Sequence, residues 1–465
     1  MPKMAQEHTH NYGNELPLIN TITPLSYKHF SSQREIYDIY EQPIARLEQS
    51  PAVFMHYLIA HLRQAPRLDQ DSRHQALQRA AEIFASASLC GMTPTQYCAK
   101  VCLITGLPQP VVDNATSKIA MATASALKFA QLGIPYGVPL QEDGAKLSGG
   151  SAQSIRRGDV LAVITPGNGT GVHALWPQAI ALGYRVVIRP SEREPWTAQR
   201  LVAAMVAAGL QDYVALLPCD YEVIDALTEA ADLSLLYGGD ALMARFSDRK
   251  DVLVQGPGRS KIVIGADYPL EKALQLVFES VCGLGGAACV CASSVIVEGD
   301  AQAFAQEFCN YLSRELQDEQ KCGEWLARLS PQRFKWWKEQ IKHYTQALIK
   351  EPQVLNSSDN TYLVMPLVMI ASSLTDPLMQ LELPVASVTF ASFKEGDDLN
   401  SLAPALVITV ASSNPQLIES ISNILGVRNL YVGHIPTIWM HPRIPHDGYL
   451  SEFLMTTRGY CVRTL

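Results

Sequence analysis

The sequence contains no unbroken apolar run of eighteen residues, so no segment reads as a membrane-crossing helix. It lacks a basic excess: 37 Lys and Arg stand against 45 Asp and Glu, a net charge of −8. That balance argues against a nucleic-acid or membrane-surface protein. Its ten cysteines form no C-x-x-C pair and no regular framework, so neither a metal centre nor a disulfide scaffold is expected. No G-x-G-x-x-G links a strand to a helix, and no glycine loop ends in Gly-Lys-Ser/Thr; the dinucleotide and P-loop fingerprints are both absent. The opening MPKMAQEHTHNYGNELP has no apolar centre and reads as a frayed lead-in. Scattered thiols without a signal segment lead us to expect a reduced, cytoplasmic protein.

What is present is pattern. Of the 465 residues, 48% are hydrophobic, enough for two or three domains with cores. AVFMHYLIAHLRQ, ALQRAAEIFASASL and TSKIAMATASALKFAQL carry apolar residues at helical spacing, so the first 130 or so residues read mainly as helix. Gly and Ser then punctuate YGVPLQEDGAKLSGGSAQSIRRGD, which predicts a hairpin arm over about 136–160. From 158, DVLAVITP, RVVIRP, YVALLP and LSLLYGG read as strands, with VHALWPQAIALG, WTAQRLVAAMVAAGL and VIDALTEAA as helices between them. Near-continuous apolar strands joined by helices predict a parallel sheet covered on both faces, binding ligands at its carboxyl ends. The alternation restarts at KIVIGAD and continues through ASSVIVEG, YLVMPLVMI, VASVTFASF, ALVITVA and LYVGH. Two parallel α/β domains are therefore predicted, residues 1–254 and 255–440, followed by a tail over 441–465.

GLGGAACVCASSVIV (283–297) sets two thiols one residue apart behind a cluster of glycines. A cysteine is by default a small buried apolar residue. A glycine-lined turn before a strand, however, lets a carbonyl carbon approach a sulfur. Exposed backbone N–H groups in such a turn lower a thiol pKa and can hold an oxyanion. GNGTG (167–171) has its own plain reading as a turn or helix cap.

Taken in order, TPGNGTGVHALWPQAIALGYRVVIRPSEREPWTA (165–198), LLYGGDALMARF (235–246), VQGPGRSKIVI (254–264) and GGAACVCASSVIV resemble segments of the aldehyde dehydrogenase superfamily. The resemblance covers about 158–300, and 362–395 more weakly. It implies an aldehyde-dehydrogenase-like α/β fold with a cofactor domain, a catalytic domain and a small oligomerisation arm, hence a homodimer. It implies a bound NAD or NADP near Thr165, Pro166, Gly167, Arg189, Ser191, Glu192, Gly238 and Gly239. In MQLELPVASVTF, Glu382 matches the residue that holds the nicotinamide ribose. Glu192 favours NAD, whereas Arg189 and Arg193 suit a 2′-phosphate, so the choice stays open. The family spacing makes Cys289 the nucleophile, Cys291 its packed neighbour and Asn168 the oxyanion-hole amide.

One departure directs the functional expectation. The family's hydrolytic members carry a glutamate base where this chain has Gln255, 34 residues before Cys289. An amide cannot take a proton from water. GPGRS (256–260) and PHDGYLSEFL (445–454) also resemble segments of acyl-CoA reductases such as the fatty-acid reductase of bacterial luminescence; His446, in the latter, reads equally as structural. The leading expectation is therefore NAD(P)H-dependent reduction of an acyl thioester, carried by CoA or an acyl-carrier protein, to an aldehyde through a thioester on Cys289. The alternatives are an NAD(P)-dependent aldehyde dehydrogenase using another base, and a catalytically silent relative acting as a binding partner.

Overall fold

The computed structural model describes residues 16–141, 151–356, 360–441 and 443–461; most of the lead-in and the centre of the expected arm lie outside the described residues. DVLAVITP forms the strand Val160–Ile164, buried at every position. Across its five-stranded sheet the order is Val214–Leu216, Arg185–Arg189, Val160–Ile164, Leu233–Tyr237, Val252–Gln255. All neighbours run parallel. The chain moves outward from Val160–Ile164, then returns to its other side. That reversal opens a crevice at the carboxyl ends, from which the loop at 165–171 and the Gly238–Gly239 turn depart.

The second sheet has six parallel strands in the order Leu367–Ile370, Ser387–Phe393, Ala292–Glu298, Ser260–Ile264, Ala405–Ala411, Val427–Val432. The chain crosses between the sheets over residues 256–259. The carboxyl end of one sheet thus meets the amino end of the other, and the turn that carries Cys289 immediately precedes a central strand of the second.

Several elements differ from their sequence reading. The N-terminal region is not only helical: Leu18–Ile19, Pro43–Glu48 and Gln33–Tyr37 form a small sheet, too short and too polar to show a period. VHALWPQAIALG forms a 3₁₀ turn, Gly171–Ala174, and a five-residue helix, Pro177–Ala181. Pro177 has no N–H and starts a helix rather than continuing one. Pro366 likewise divides YLVMPLVMI into Tyr362–Val364 and Leu367–Ile370, which belong to different sheets. The described part of the arm, Ser151–Arg156, pairs antiparallel with Met455–Tyr460 from the C-terminal tail.

The N-terminal helices cover both faces of the first sheet: Ala52–Gln64 packs with Val160 and Ala162, and Gln70–Ser86 joins the core of Leu161 and Val163 on the other side. Helix Gln70–Ser86 buries Leu77 and Phe84 completely, and each such side chain contributes roughly 1.5–3 kcal/mol. Arg200, 1% exposed, fastens the end of that helix by donating to the carbonyls of Phe84 (3.0 Å) and Ala87 (2.6 Å).

Candidate active site

Helix Leu270–Cys282 delivers the chain into a run of left-handed residues, Leu284 (φ 54°), Gly285 (φ 79°) and Gly286 (φ 71°). A Cβ on Gly286 would lie 2.5 Å from that of Ala386, so glycine is required there. Leu284 accepts a conformation that costs a branched side chain about 1–3 kcal/mol. The Cys291 N–H then donates to the Ala288 carbonyl at 2.8 Å and closes the turn. Cys289 is part-buried at its tip. Cys291 is 7% exposed and turns inward, its Sγ donating to the Gly283 carbonyl at 3.2 Å. The turn is braced from the start of strand Ser260–Ile264, where Ser260 Oγ donates to the Cys289 carbonyl at 3.0 Å.

The other partner of Cys289 comes from far along the chain. His446 Nε2 lies 3.4 Å from Cys289 Sγ. Asn429, on strand Val427–Val432, positions it by donating to the carbonyls of both Leu406 and His446 at 2.8 Å. Asp447 is tied to the same strand through Arg428 Nε at 3.1 Å. Buried His446 Nδ1 and Tyr237 Oη have no hydrogen-bond partner among the described residues. Burial pushes the Cys289 thiol up to about 12, with the Glu382 carboxylate the next cause. Burial also holds the His446 imidazole below its ordinary pKa, opposed by Asp447. A neutral imidazole therefore faces a protonated thiol near neutral pH.

The other expected residues fall around this pair. Asn168 leaves the first sheet and donates from Nδ2 to the Ala287 carbonyl at 3.3 Å, which puts its amide on the turn that carries Cys289. Gln255, 6% exposed, ends its strand beside Tyr237. Glu382 accepts from the Arg259 N–H at 2.7 Å, and burial raises its pKa. Thr165 Oγ1 accepts from the Ser191 N–H at 3.1 Å, joining the ends of two neighbouring strands. Pro166 leads into Gly167, where a Cβ would lie 2.4 Å from Ser191 Oγ. Glu192 Oε1 accepts from Arg34 at 2.6 Å and from Arg189 at 3.3 Å. Arg34 comes from the small N-terminal sheet and was not singled out in the sequence; neither were Tyr237 and Asn429. Gly238 packs on Leu242, and Gly239 faces open space as the residue before helix Asp240–Arg245.

This layout can be compared with known proteins. The model of the aldehyde dehydrogenase family matches residues 155–451. The chain belongs to that family. Malonate-semialdehyde dehydrogenase 1 of Geobacillus kaustophilus is 27% identical to this family member over 209 residues, 42% of each protein. A probable methylmalonate-semialdehyde/malonate-semialdehyde dehydrogenase (acylating) of Caenorhabditis elegans is 29% identical over 158 residues, 32% of this chain and 30% of that protein. These matches therefore span less than half the length of the curated relatives. The solved NAD-dependent aldehyde dehydrogenase of Sinorhizobium meliloti is similar in fold, with a TM-score of 0.78 at 17% identity over 96% of this chain and 95% of that one.

These findings overturn the leading expectation of acyl-thioester reduction on a CoA or carrier-protein substrate. The curated relatives are named as semialdehyde dehydrogenases, which points to aldehyde oxidation, and they do not single out the acyl-CoA reductase branch. The physical reason lies in the site. The inference rested on Gln255 leaving the sulfur without a base, but folding brings an imidazole to that sulfur.

Proposed function

We propose that this protein oxidises an aldehyde with NAD or NADP through a thioester on Cys289. The observation that carries the reading is the Cys289–His446 contact on a turn that also receives Asn168. Cys289 Sγ attacks the aldehyde carbon, and the carbonyl π pair moves onto oxygen. The second N–H of the Asn168 amide and the backbone N–H groups of the turn stabilise that oxyanion. A preorganised donor of this kind is worth roughly 2.7–4 kcal/mol. Loss of a hydride from that carbon lets the oxygen pair re-form the C=O and gives the thioester; the acyl group then passes to a protic acceptor, and Cys289 leaves as thiolate.

The residues present fit a dinucleotide. A Cβ added at Gly169, Gly171 or Gly239 would meet nothing within 4 Å, which leaves the mouth of the strand ends open. Thr165, Pro166, Gly167, Ser191, Gly238 and Gly239 border it, with Glu192 and its arginines at one end and Glu382 beside the nucleophile turn. Bound there, the oxidised nicotinamide supplies the acceptor for a hydride.

The surroundings of Cys289 also bear on the aldehyde. Leu284, Ala288, Ile435, Ile438 and Ile444 cluster with it, while Glu382 and Asp447, both acidic, act on its sulfur. These neighbours favour an apolar aldehyde over one with a carboxylate close to the carbonyl. The test incubates the protein with neutral alkanals and an ω-carboxylate aldehyde, each with NAD or NADP, with and without a free thiol. Reduced-cofactor absorbance and the acyl adduct on Cys289 are read. Absence of both with every aldehyde would reject the reading.

A further inference from the structure

The site holds two buried polar atoms whose partners the fold leaves out, His446 Nδ1 and Tyr237 Oη. Both lie beside Cys289: one ring nitrogen of His446 contacts the sulfur, and burial, followed by the charge of Cys289, raises the pKa of the Tyr237 phenol. At position 255 the amide cannot act as a base. The described residues at the sulfur also include the carboxylates of Glu382 and Asp447, but each is already engaged, by the Arg259 N–H and by Arg428 respectively. The imidazole has a nitrogen in contact with the sulfur and a backbone held by Asn429.

We propose that His446 is the catalytic base of this site, taking the proton first from Cys289 and then from the acyl acceptor. The assignment rests on the thioester route proposed above. In the first step Nε2 binds the Sγ proton while the S–C bond to the aldehyde forms, and the resulting imidazolium later releases that proton to solvent. In the second step Nε2 takes the proton of the acceptor O–H or S–H as that atom attacks the thioester carbon. The C–Sγ bond breaks, sulfur leaves with the bonding pair, and the imidazolium returns a proton to it. No electrons change hands in either proton transfer. The buried environment keeps the imidazole neutral and therefore able to accept.

The experiment needs neither aldehyde nor cofactor. Wild type and His446→Gln are alkylated with iodoacetamide at neutral pH, and modification is read on the Cys289 peptide by mass spectrometry. A base positioned at this distance predicts labelling slowed by about 100-fold or more in the variant, with an unchanged melting temperature. Labelling within about threefold of wild type overturns the proposal. The wild-type pH profile provides a check that needs no variant at position 446. The groups facing the pair are Glu382, Asp447, Cys291 and Tyr237, with Tyr431 and His441 across a small cavity behind the imidazole. The expected profile reaches its plateau at or below neutrality and survives His441→Gln. A rise confined to strong alkali, following the thiol alone, overturns the assignment, as does loss of the plateau in His441→Gln. A protein that oxidises no aldehyde yet loses labelling in His446→Gln removes the proposed function and keeps the base.

Discussion

Cys289 and Cys291 differ in what their sulfurs meet, and that difference sets their expected chemistry. Cys291 donates inward to the Gly283 carbonyl, whereas Cys289 meets an imidazole. Cys289→Ala should remove the acyl adduct and turnover while leaving the melting temperature close to wild type. Cys291→Ala should retain the adduct and lose about 1 kcal/mol of stability, the usual scale for a small change in a packed site; mass spectrometry and urea unfolding check both. At the cofactor end, Arg34 and Arg189 share Glu192 Oε1, so its charge is matched within the protein. Arg34→Ala bares that carboxylate against a 2′-phosphate. The ratio of kcat/KM for NADP over NAD should fall about tenfold, the value of one charged hydrogen bond near 1.5 kcal/mol.

Among the elements, the crossing segment 256–259 does more than connect two sheets. A Cβ on Gly258 would lie 1.8 Å from the Cys289 carbonyl oxygen, against backbone that cannot swing aside. The same residue accepts from the Leu406 N–H at 2.7 Å, so it is held on its other side as well. Gly258→Ala must therefore displace the nucleophile turn. Overpacking of this kind costs about 1–3 kcal/mol. The expected outcome is a lower urea midpoint together with loss of Cys289 alkylation, the two changing in one variant because the same contact underlies both. Gly239, whose added Cβ meets nothing, should accept alanine with little change in the midpoint.

Over the whole molecule, the ribbon of Ser151–Arg156 and Met455–Tyr460 stands apart from both sheets, and five of the six residues of its second strand are exposed. A two-stranded ribbon is at best marginally stable when solvated on both faces. Its root is fastened where Arg157 donates to the carbonyls of Leu454 (3.0 Å) and Phe453 (2.9 Å). We expect a second copy of the chain to cover the ribbon. Sedimentation should give a dimer, and deletion of residues 455–465 should give a monomer that still melts cooperatively. A monomeric full-length protein would rule this out.

The local chemistry of the chain determined the strands Val160–Ile164 and Arg185–Arg189, because short apolar runs bounded by glycine or proline have few other uses. The glycines beside both thiols were legible as a turn, but the preference for Cys289 over Cys291 came from the family spacing, and only the fold shows the two sulfurs meeting different partners. Proline positions were equally legible, yet Pro177 and Pro366 were read through rather than as breaks. The placement of His446 against the sulfur was beyond the reach of local pattern. His446 follows Cys289 by 157 residues, and neither its approach to the sulfur nor the Asn429 bonds that hold it leave a mark on spacing or period. Arg34 meets Glu192 across 158 residues for the same reason. Side chains brought together by the packing of separate elements acquire their chemistry only when the sheets are in place, and here that contact removes the premise drawn from Gln255 alone, while the relatives overturn the expectation itself.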